Sequence, residues 1–138
     1  YLLHSLYEDG HFPDKQLLFF DTRITRVTEV LLYCRRLYER LGVSPTTTVN
    51  IEVVHGGIAG RVLTASSPGR HLSLDRKSIE ERIETRLTVP LSRIESDLTD
   101  VVKVFTRPLF ELFDFFELND SVLSEIVDGF VADVRARG

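Results

Sequence analysis

Residues between positions 55 and 71 are the part of this sequence best suited to bind a ligand. Glycines let a ligand approach the backbone, arginines pair with phosphate or carboxylate groups, and serine and histidine side chains donate hydrogen bonds. The candidate ligand-binding residues are His55, Gly56, Gly57, Arg61, Ser66, Ser67, Arg70 and His71. The stretch has neither the phosphate-binding pattern G-x-x-x-x-G-K-S/T nor G-x-G-x-x-G, and turns use the same residue types. Anion contact and plain turn chemistry are therefore the two interpretations of this stretch.

The charge distribution favours the same region for any contact with a polyanion. The 138-residue chain has a net charge of −4, but residues 61–93 carry seven basic against four acidic groups, whereas residues 94–134 carry two against ten. An acidic surface repels nucleic acid. One predicted function is therefore binding of an anion, a nucleotide or nucleic acid through segment 55–86. The contacts would be Arg61, Arg70, His71 and Arg76.

No residue spacing in the chain indicates catalysis or a metal site. The four histidines lack the H-x-H, H-x-x-x-H and H-E-x-x-H spacings, and no G-x-S-x-G motif is present. Cys34 falls on the apolar face of a predicted helix, where a core thiol is the expected state. An enzyme using His55 or His71 would need a carboxylate or serine within about 3 Å of the ring. We therefore predict no catalytic residue, no metal and no cofactor.

The overall composition predicts a cytoplasmic domain. A single cysteine excludes an intrachain disulfide and suits a reducing compartment. The longest apolar run falls far short of the ~20 residues that cross a bilayer, so no membrane contact is expected. The sequence contains no methionine. The length and composition predict one globular domain, and the missing methionine predicts that residues 1–138 were cut from a longer polypeptide.

Alternating apolar and polar residues predict the strands. Residues 48–64 are interpreted as a β-hairpin that turns at Gly56 and Gly57, because Val49, Ile51 and Val53 alternate with polar residues. Further strands are predicted at 1–9, 16–20 and 79–89, with a loop at 65–78. With three helices, this pattern predicts the α+β class: an antiparallel sheet of about four to five strands with the helices packed mainly on one face.

Three- and four-residue apolar spacing predicts the helices. The first covers residues 22–41 with Asp21 as its N-cap, and the last follows possible caps at Asn119, Asp120 and Ser121. Between them, Pro90 is expected to open a helix that kinks or restarts near Thr106-Arg107, because of Pro108, and continues through residues 109–118.

Phenylalanine is concentrated at positions 105–116, where five of these residues occur. Their apolar arc is wider than one sheet face needs to cover. We interpret them as core residues together with part of an interface, because large exposed apolar patches on monomers are uncommon. The candidate interface residues are Phe110, Phe113, Phe115 and Phe116.

Three stretches carry a resemblance to a known group of proteins: RVTEVLLYCRRLYERLGV at 26–43, TVNIEVVHGGIAGRVL at 48–63 and FTRPLFELFDFF at 105–116. Together they resemble the C-terminal accessory region of bacterial proteins that begin with a Schlafen-type, Alba-like domain thought to bind DNA. The resemblance implies that any nucleic-acid contact lies in that other domain. It implies a sensory, regulatory or assembly role for this chain, and it transfers no functional residue.

The first functional hypothesis is therefore a non-catalytic accessory domain of a larger bacterial regulatory protein. It would act by contact with a protein partner, or as a homodimer through a sheet edge or the phenylalanine-rich helices. Its partners would be proteins or further copies of itself, with nucleic acid bound only through another domain of the full chain.

Overall fold

The computed structural model describes residues 17–138 except 68, 71, 73 and 74. The predicted strand at 1–9 and the residues His4, His11 and His71 lie outside the described residues. The helices and strands occur in the order β1 (Leu17–Phe19), α1 (Phe20–Arg40), β2 (Thr48–Gly56), β3 (Val62–Thr64), β4 (Arg76–Lys77), β5 (Arg82–Pro90), α2 (Arg93–Ser96), α3 (Leu98–Glu111) and α4 (Asp120–Arg137). The predicted α+β class is confirmed.

The predicted hairpin between residues 48 and 64 is wrong. Strand β2 pairs antiparallel with β5 along its whole length, from Thr48 opposite Pro90 to Gly56 opposite Arg82. Strand β5 matches β2 in length and alternation, whereas the segment after Gly57 forms only the short strand β3. At Gly57, whose φ is +68°, the chain leaves β2 and enters a segment of residues 57–81. This segment separates the two long strands in the sequence. We call β2 and β5 together the ribbon.

The three short strands form a second sheet. Strands β3 and β4 belong to segment 57–81, and β1 precedes helix α1. Strand β3 lies in the middle, parallel to β1 and antiparallel to β4. In the described residues, the single sheet of four to five strands predicted from the sequence is therefore replaced by one sheet of three strands and one of two. Periodicity predicts where a strand lies but not which strand it pairs with, because pairing depends on residues far apart in the chain.

Helix α1 forms much as its apolar spacing predicts. Ile24, Val27 and Leu31 are buried on one face. The helix begins at Phe20, so Asp21 lies in its first turn and is not the N-cap. It ends before Gly42, whose φ of +76° is the left-handed conformation that commonly stops a helix.

The C-terminal helices differ from the prediction in their boundaries. Pro90 ends β5 and does not open a helix, and Pro108 lies inside α3. The predicted continuation to residue 118 is wrong, because α3 ends at Glu111 and a turn follows in which Asp114 and Phe115 have positive φ values. Helix α4 begins as predicted, with the Asn119 side chain accepting a hydrogen bond from the Ser121 amide at 2.8 Å.

One continuous apolar core joins the helices to both sheets. Helix α1 packs against α3 and α4, and β5 packs against α2 and α3. Leu18 and Leu63 bring the three-stranded sheet into this core, and Val89 brings the ribbon into it. The inner face of the ribbon is only partly covered, since Ile51, Val53 and Leu87 are half-buried. The ribbon therefore extends past the part of the core that the helices cover.

Candidate functional site

His55, the first residue of the predicted ligand site, is a buried structural residue. Its side chain is 3% exposed, and both ring nitrogens have partners. Nε2 lies 2.9 Å from the carbonyl oxygen of Phe105, and Nδ1 lies 3.3 Å from Nη1 of Arg23. A carbonyl only accepts and a guanidinium only donates, so the neutral ring carries its proton on Nε2. These contacts tie the end of β2 to α3 and α1.

The surroundings of His55 keep it uncharged. Burial lowers the pKa of His55 to about 4, and the positive charge of Arg23 acts in the same direction. Among the described residues, neither ring nitrogen hydrogen bonds to a carboxylate or a hydroxyl group. Catalysis by His55 would require a carboxylate or a serine next to the ring. The ring nitrogens instead contact a carbonyl and a guanidinium. His71, the other histidine of that hypothesis, is outside the described residues.

The predicted anion-binding loop does bind a carboxylate, but the carboxylate belongs to the chain itself. Asp21, which is 6% exposed, accepts hydrogen bonds from both residues of the Ser66-Ser67 pair. The Ser66 amide donates to Oδ1 at 2.9 Å, the Ser66 hydroxyl donates to Oδ2 at 2.8 Å, and the Ser67 amide donates to Oδ2 at 3.1 Å. Successive backbone amides of this kind form a small anion-binding concavity. Asp21 fills it and anchors the loop to the start of α1.

The arginines of the predicted site bind three other parts of the fold. Arg61 donates to the carbonyl of Leu17 in β1 at 3.3 Å. Arg70 donates to Glu125 in α4 at 3.0 Å. Arg76 donates to the carbonyl of Asp114 at 2.9 Å, and its guanidinium lies 5.5 Å from the centre of the Phe116 ring. These arginines hold segment 57–81 against the rest of the molecule and do not converge on one ligand site.

The two glycines of that stretch lie at the end of β2 and in the turn that follows it. Gly56 is the last residue of β2, and Gly57 has φ +68°. A residue with a side chain is strained in this conformation, so glycine is the natural choice. The turn is closed by the Ile58 amide, which donates to the carbonyl of Glu81 at 3.2 Å. Turn chemistry therefore accounts for Gly57, whereas Gly56 has no positive φ and a Cβ there would meet no neighbouring atom.

The phenylalanines predicted as an interface are mostly internal. Phe110 and Phe113 are 2% and 0% exposed. Phe116 is half-buried and packs against Phe20 and Phe110, with ring centres 6.1 and 6.2 Å apart. Of the four candidates, Phe115 alone is well exposed, at 88%. The exposed apolar surface predicted for this region is thus reduced to one side chain in the turn after α3.

The outer edges of the ribbon are the longest strand edges in the described structure that pair with no other strand. In an antiparallel pair, residues alternate between those that hydrogen bond across the pair and those whose backbone groups face outward. The Leu91 amide donates to the Thr47 carbonyl at 2.9 Å, one pair beyond Thr48 and Pro90. Odd-numbered residues of β2 and β5 therefore bond across the ribbon, and even-numbered residues face outward.

On β5 the outward-facing backbone groups belong to Glu84, Arg86 and Thr88. Within the described part of the chain, none of them forms a backbone hydrogen bond with another element. Pro90 fits this assignment, because its missing N–H falls on the outer side, where the ribbon has no bond to lose. The side chains at these positions are also exposed.

No protein-family model, curated protein or solved structure matches the chain. The resemblance to the accessory region of Schlafen-type proteins therefore stays a prediction. Function has to be argued from the geometry of the chain itself.

The described residues form neither a metal site nor a membrane-spanning helix. No group of three or more histidine, cysteine, aspartate or glutamate side chains in that part of the chain could hold a metal ion. None of the helices there combines the length and the apolar character needed to cross a bilayer. Cys34 is half-buried, and burial raises the pKa of its thiol, which keeps it in the less reactive protonated form.

A groove of about 560 Å³ lies between α1, the start of α3 and the end of α4. Its walls carry both signs of charge, with Arg36 and Arg135 facing the same space as Asp100 and Asp128. Arg35, which also lines it, is already paired with Glu95 at 2.5 Å. Such mixed walls do not select one class of ligand, so the ribbon edge is the better candidate site.

Proposed function

We propose that this chain is a non-catalytic interaction domain that binds a protein partner by strand addition at the outer edge of β5. The observation that supports the proposal is the row of outward backbone groups on Glu84, Arg86 and Thr88, which no other described element satisfies. An open strand edge is a template for another strand, and peptide recognition domains use such edges. The main-chain hydrogen bonds would supply affinity.

The partly covered face of the ribbon adds to this support. A two-stranded ribbon is only marginally stable alone, and further strands with an apolar face stabilise it. Ile83 and Leu87 of β5 are half-buried on the inner face. A strand added beside β5 would place its own alternate apolar side chains next to them. The added strand would therefore extend the apolar layer over the helices.

The alternative of anion or nucleic-acid binding through segment 55–86 has less support. Its best donors are engaged within the fold: Ser66 and Ser67 with Asp21, and Arg70 with Glu125. Binding a phosphate there would require breaking these contacts first. Catalysis by His55 has less support for a similar reason, since the ring is buried between Phe105 and Arg23.

We further propose, from the resemblance alone, that the domain accompanies an Alba-like domain in a longer bacterial regulatory protein. The single cysteine favours a reducing compartment, so the cytoplasm is the proposed location. In this arrangement nucleic acid is bound elsewhere in the polypeptide. The domain described here supplies the contact with a protein partner.

The test uses random extended peptides displayed on phage and selected against the immobilised chain. Enriched peptides, made synthetically, should shift the backbone amide NMR signals of Glu84, Arg86 and Thr88. They should leave the signals of Asn50 and Glu52 on the opposite edge unchanged. Selection of no peptide, or of peptides that shift the signals of α4 or of the loop at Ser66, would overturn the proposal.

A pair of proline variants sharpens this experiment. Arg86→Pro removes an outward N–H and leaves the bonds across the ribbon intact, so it should abolish peptide binding with the fold retained. Leu87→Pro removes an N–H that bonds across the ribbon to Ile51, so it should disrupt the ribbon itself. Circular dichroism and NMR dispersion separate the two effects. Unchanged peptide binding by a folded Arg86→Pro variant would contradict strand addition.

A further inference from the structure

We infer that the strand added beside β5 comes from a second copy of this chain, paired antiparallel with its own β5 about a two-fold axis at Thr85. This inference rests on the proposed function and names the partner. The sheet would then have four strands in the order β2, β5, β5 of the second copy and β2 of the second copy. The order of charges along the outer edge of β5 favours this pairing.

Charges on an edge strand usually prevent self-pairing, because identical copies bring like charges together. Along the outer edge of β5 the charges alternate in sign, as Arg82, Glu84 and Arg86. Since the outward residues are even-numbered, only registers that place even residues opposite even residues satisfy the backbone. This requirement leaves a short set of registers to compare.

The register centred on Thr85 places Glu84 of each copy opposite Arg86 of the other, which gives two opposite-charge pairs. It also places Arg82 opposite Thr88, and residues 82–88 of both copies overlap. The register centred on Glu84 instead brings the two Glu84 side chains together and sets Arg82 against Arg86. The register centred on Arg86 brings the two Arg86 side chains together. Like charges directly opposite each other destabilise a sheet, and opposite charges stabilise it.

The two registers further along are less favourable for other reasons. Centring on Ile83 also pairs Arg82 with Glu84, but it overlaps only residues 82–84 of the strand. Centring on Leu87 places Pro90 opposite Glu84, where the missing N–H removes a hydrogen bond, and it forms no opposite-charge pair. The Thr85 register is therefore the one that combines overlap, backbone bonding and charge complementarity.

The inner face agrees with this register. It places Ile83 opposite Leu87 of the second copy, and Thr85 opposite Thr85. Ile83 and Leu87 are half-buried, so their pairing continues the apolar layer of the ribbon. Pairs of β-branched and apolar residues across strands stabilise a sheet, as do pairs of threonines. Both faces of the strand are thus self-complementary in the same register.

Strand β2 is a weaker edge for self-pairing. Its outward residues in the middle of the strand are Asn50, Glu52 and Val54, which carry a single charge. Its best two-fold register, centred on Ile51, places Asn50 opposite Glu52 and forms no ion pair. The ion pair that joins Glu52 to Arg86 crosses the ribbon, so it involves the two edges equally and does not distinguish them. The charges therefore favour β5 over β2.

The experiment measures the mass of the 138-residue chain in solution as its concentration is raised. Sedimentation equilibrium should show a dimer of the 15.8 kDa chain. Glu84→Arg puts two arginines opposite each other at both positions of the pairing, and Arg86→Glu puts two glutamates there. Each variant alone should dimerise more weakly, by roughly thirtyfold for two reversed pairs of ordinary strength.

Mixing the two variants gives the decisive result. In the mixed dimer the arginine introduced at position 84 of one chain faces the glutamate introduced at position 86 of the other. The native Arg86 of the first chain faces the native Glu84 of the second, so both pairs are attractive again. An equimolar mixture should therefore dimerise where neither variant does, and misfolding of either variant cannot produce this rescue. The control is Arg36→Glu, a charge reversal at an exposed position of α1, which should leave the dimer unchanged.

Three outcomes overturn the inference. The chain is a monomer at all concentrations, or the dimer is insensitive to both reversals, or both reversals weaken it and mixing does not restore it. A monomer that still binds selected peptides at Glu84 and Arg86 keeps the proposed function and removes the second copy as partner. A monomer that binds no peptide at this edge removes both.

Discussion

At the scale of single residues, the side chains that looked able to bind a ligand hold the fold together. Asp21, Arg70 and His55 each connect elements that are far apart in the sequence: Asp21 reaches Ser66, Arg70 reaches Glu125, and His55 reaches Phe105. The sequence identified polar groups that need partners. It did not identify those partners, because each lies more than forty positions away.

His55 predicts an acid-sensitive fold. Its pKa is about 4 in the folded chain against an ordinary 6.5, so between these values the unfolded chain binds more protons. The contribution of neutral His55 to the free energy of unfolding is therefore fully present above pH 6.5. It falls by about 3 kcal/mol as the pH falls to 4, at ~1.4 kcal/mol per pH unit. Urea unfolding at pH 7 and pH 4 measures the loss. His55→Gln should show a smaller drop over this range, and an equal drop in both proteins would contradict the assignment.

The contacts of Asp21 with Ser66 and Ser67 predict that a single conservative substitution at Asp21 lowers the stability of the fold. Asp21→Asn replaces one accepting oxygen with a donor that faces the donors of Ser66 and Ser67. We expect the free energy of unfolding to fall by about 2 kcal/mol, since the Ser66 and Ser67 donors lose a charged acceptor that is itself buried. Asp133→Asn, at an exposed position of α4, is the matched control and should change it by less than about 0.5 kcal/mol. Equal effects in chemical denaturation would argue against the anchor.

At the scale of elements, the local sequence pattern located most of the helices and strands. It did not predict which strands pair with each other. Helix α1, helix α4 and strand β5 lie close to the predicted ranges, because three- or four-residue and two-residue spacing depend only on neighbours in sequence. The hairpin prediction was wrong because Gly56-Gly57 is equally compatible with a tight turn and with the start of a long insertion. The turn at Asp114 and Phe115 carries no glycine or proline signal at all.

Two glycines should respond to alanine in opposite directions. Gly129 lies within α4 with no atom close to the position a Cβ would take, so Gly129→Ala should raise the free energy of unfolding by about 1 kcal/mol. Gly57 has φ +68°, so Gly57→Ala should lower it by about 1 kcal/mol through backbone strain. Thermal unfolding of the two variants side by side provides the check. Two shifts of the same sign would contradict these conformations.

At the scale of the whole molecule, the inserted segment 57–81 and the helices share one core. Ile58 is fully buried in that core, although it lies in the segment that separates β2 from β5. A chain whose parts share one core is expected to unfold in a single step. The ribbon is only partly integrated into this core, because no described element pairs with its outer edges.

The shared core can be tested at Ile58. Ile58→Ala should lower the free energy of unfolding by about 3 kcal/mol, because it leaves a cavity in a packed core. Ile79→Ala, at a position 92% exposed, should change it by less than about 0.5 kcal/mol. Urea transitions followed by circular dichroism, which reports the helices, and by the amide NMR signals of Val62 and Leu63, which report the inserted segment, should coincide for both variants. Separate transitions would mean that the inserted segment unfolds independently of the helices.

Local sequence was enough to predict the α+β class, the span of α1, the start of α4 and the strand character of residues 48–55 and 82–89. Each of these depends on residues within a few positions of one another, where spacing and side-chain type are sufficient. The folded chain was needed to establish that β2 pairs with β5, that Asp21 fills the loop at Ser66, and that no described element pairs with the outer edge of β5. These outcomes depend on which distant groups satisfy each other's hydrogen bonds, and that is settled when the chain packs.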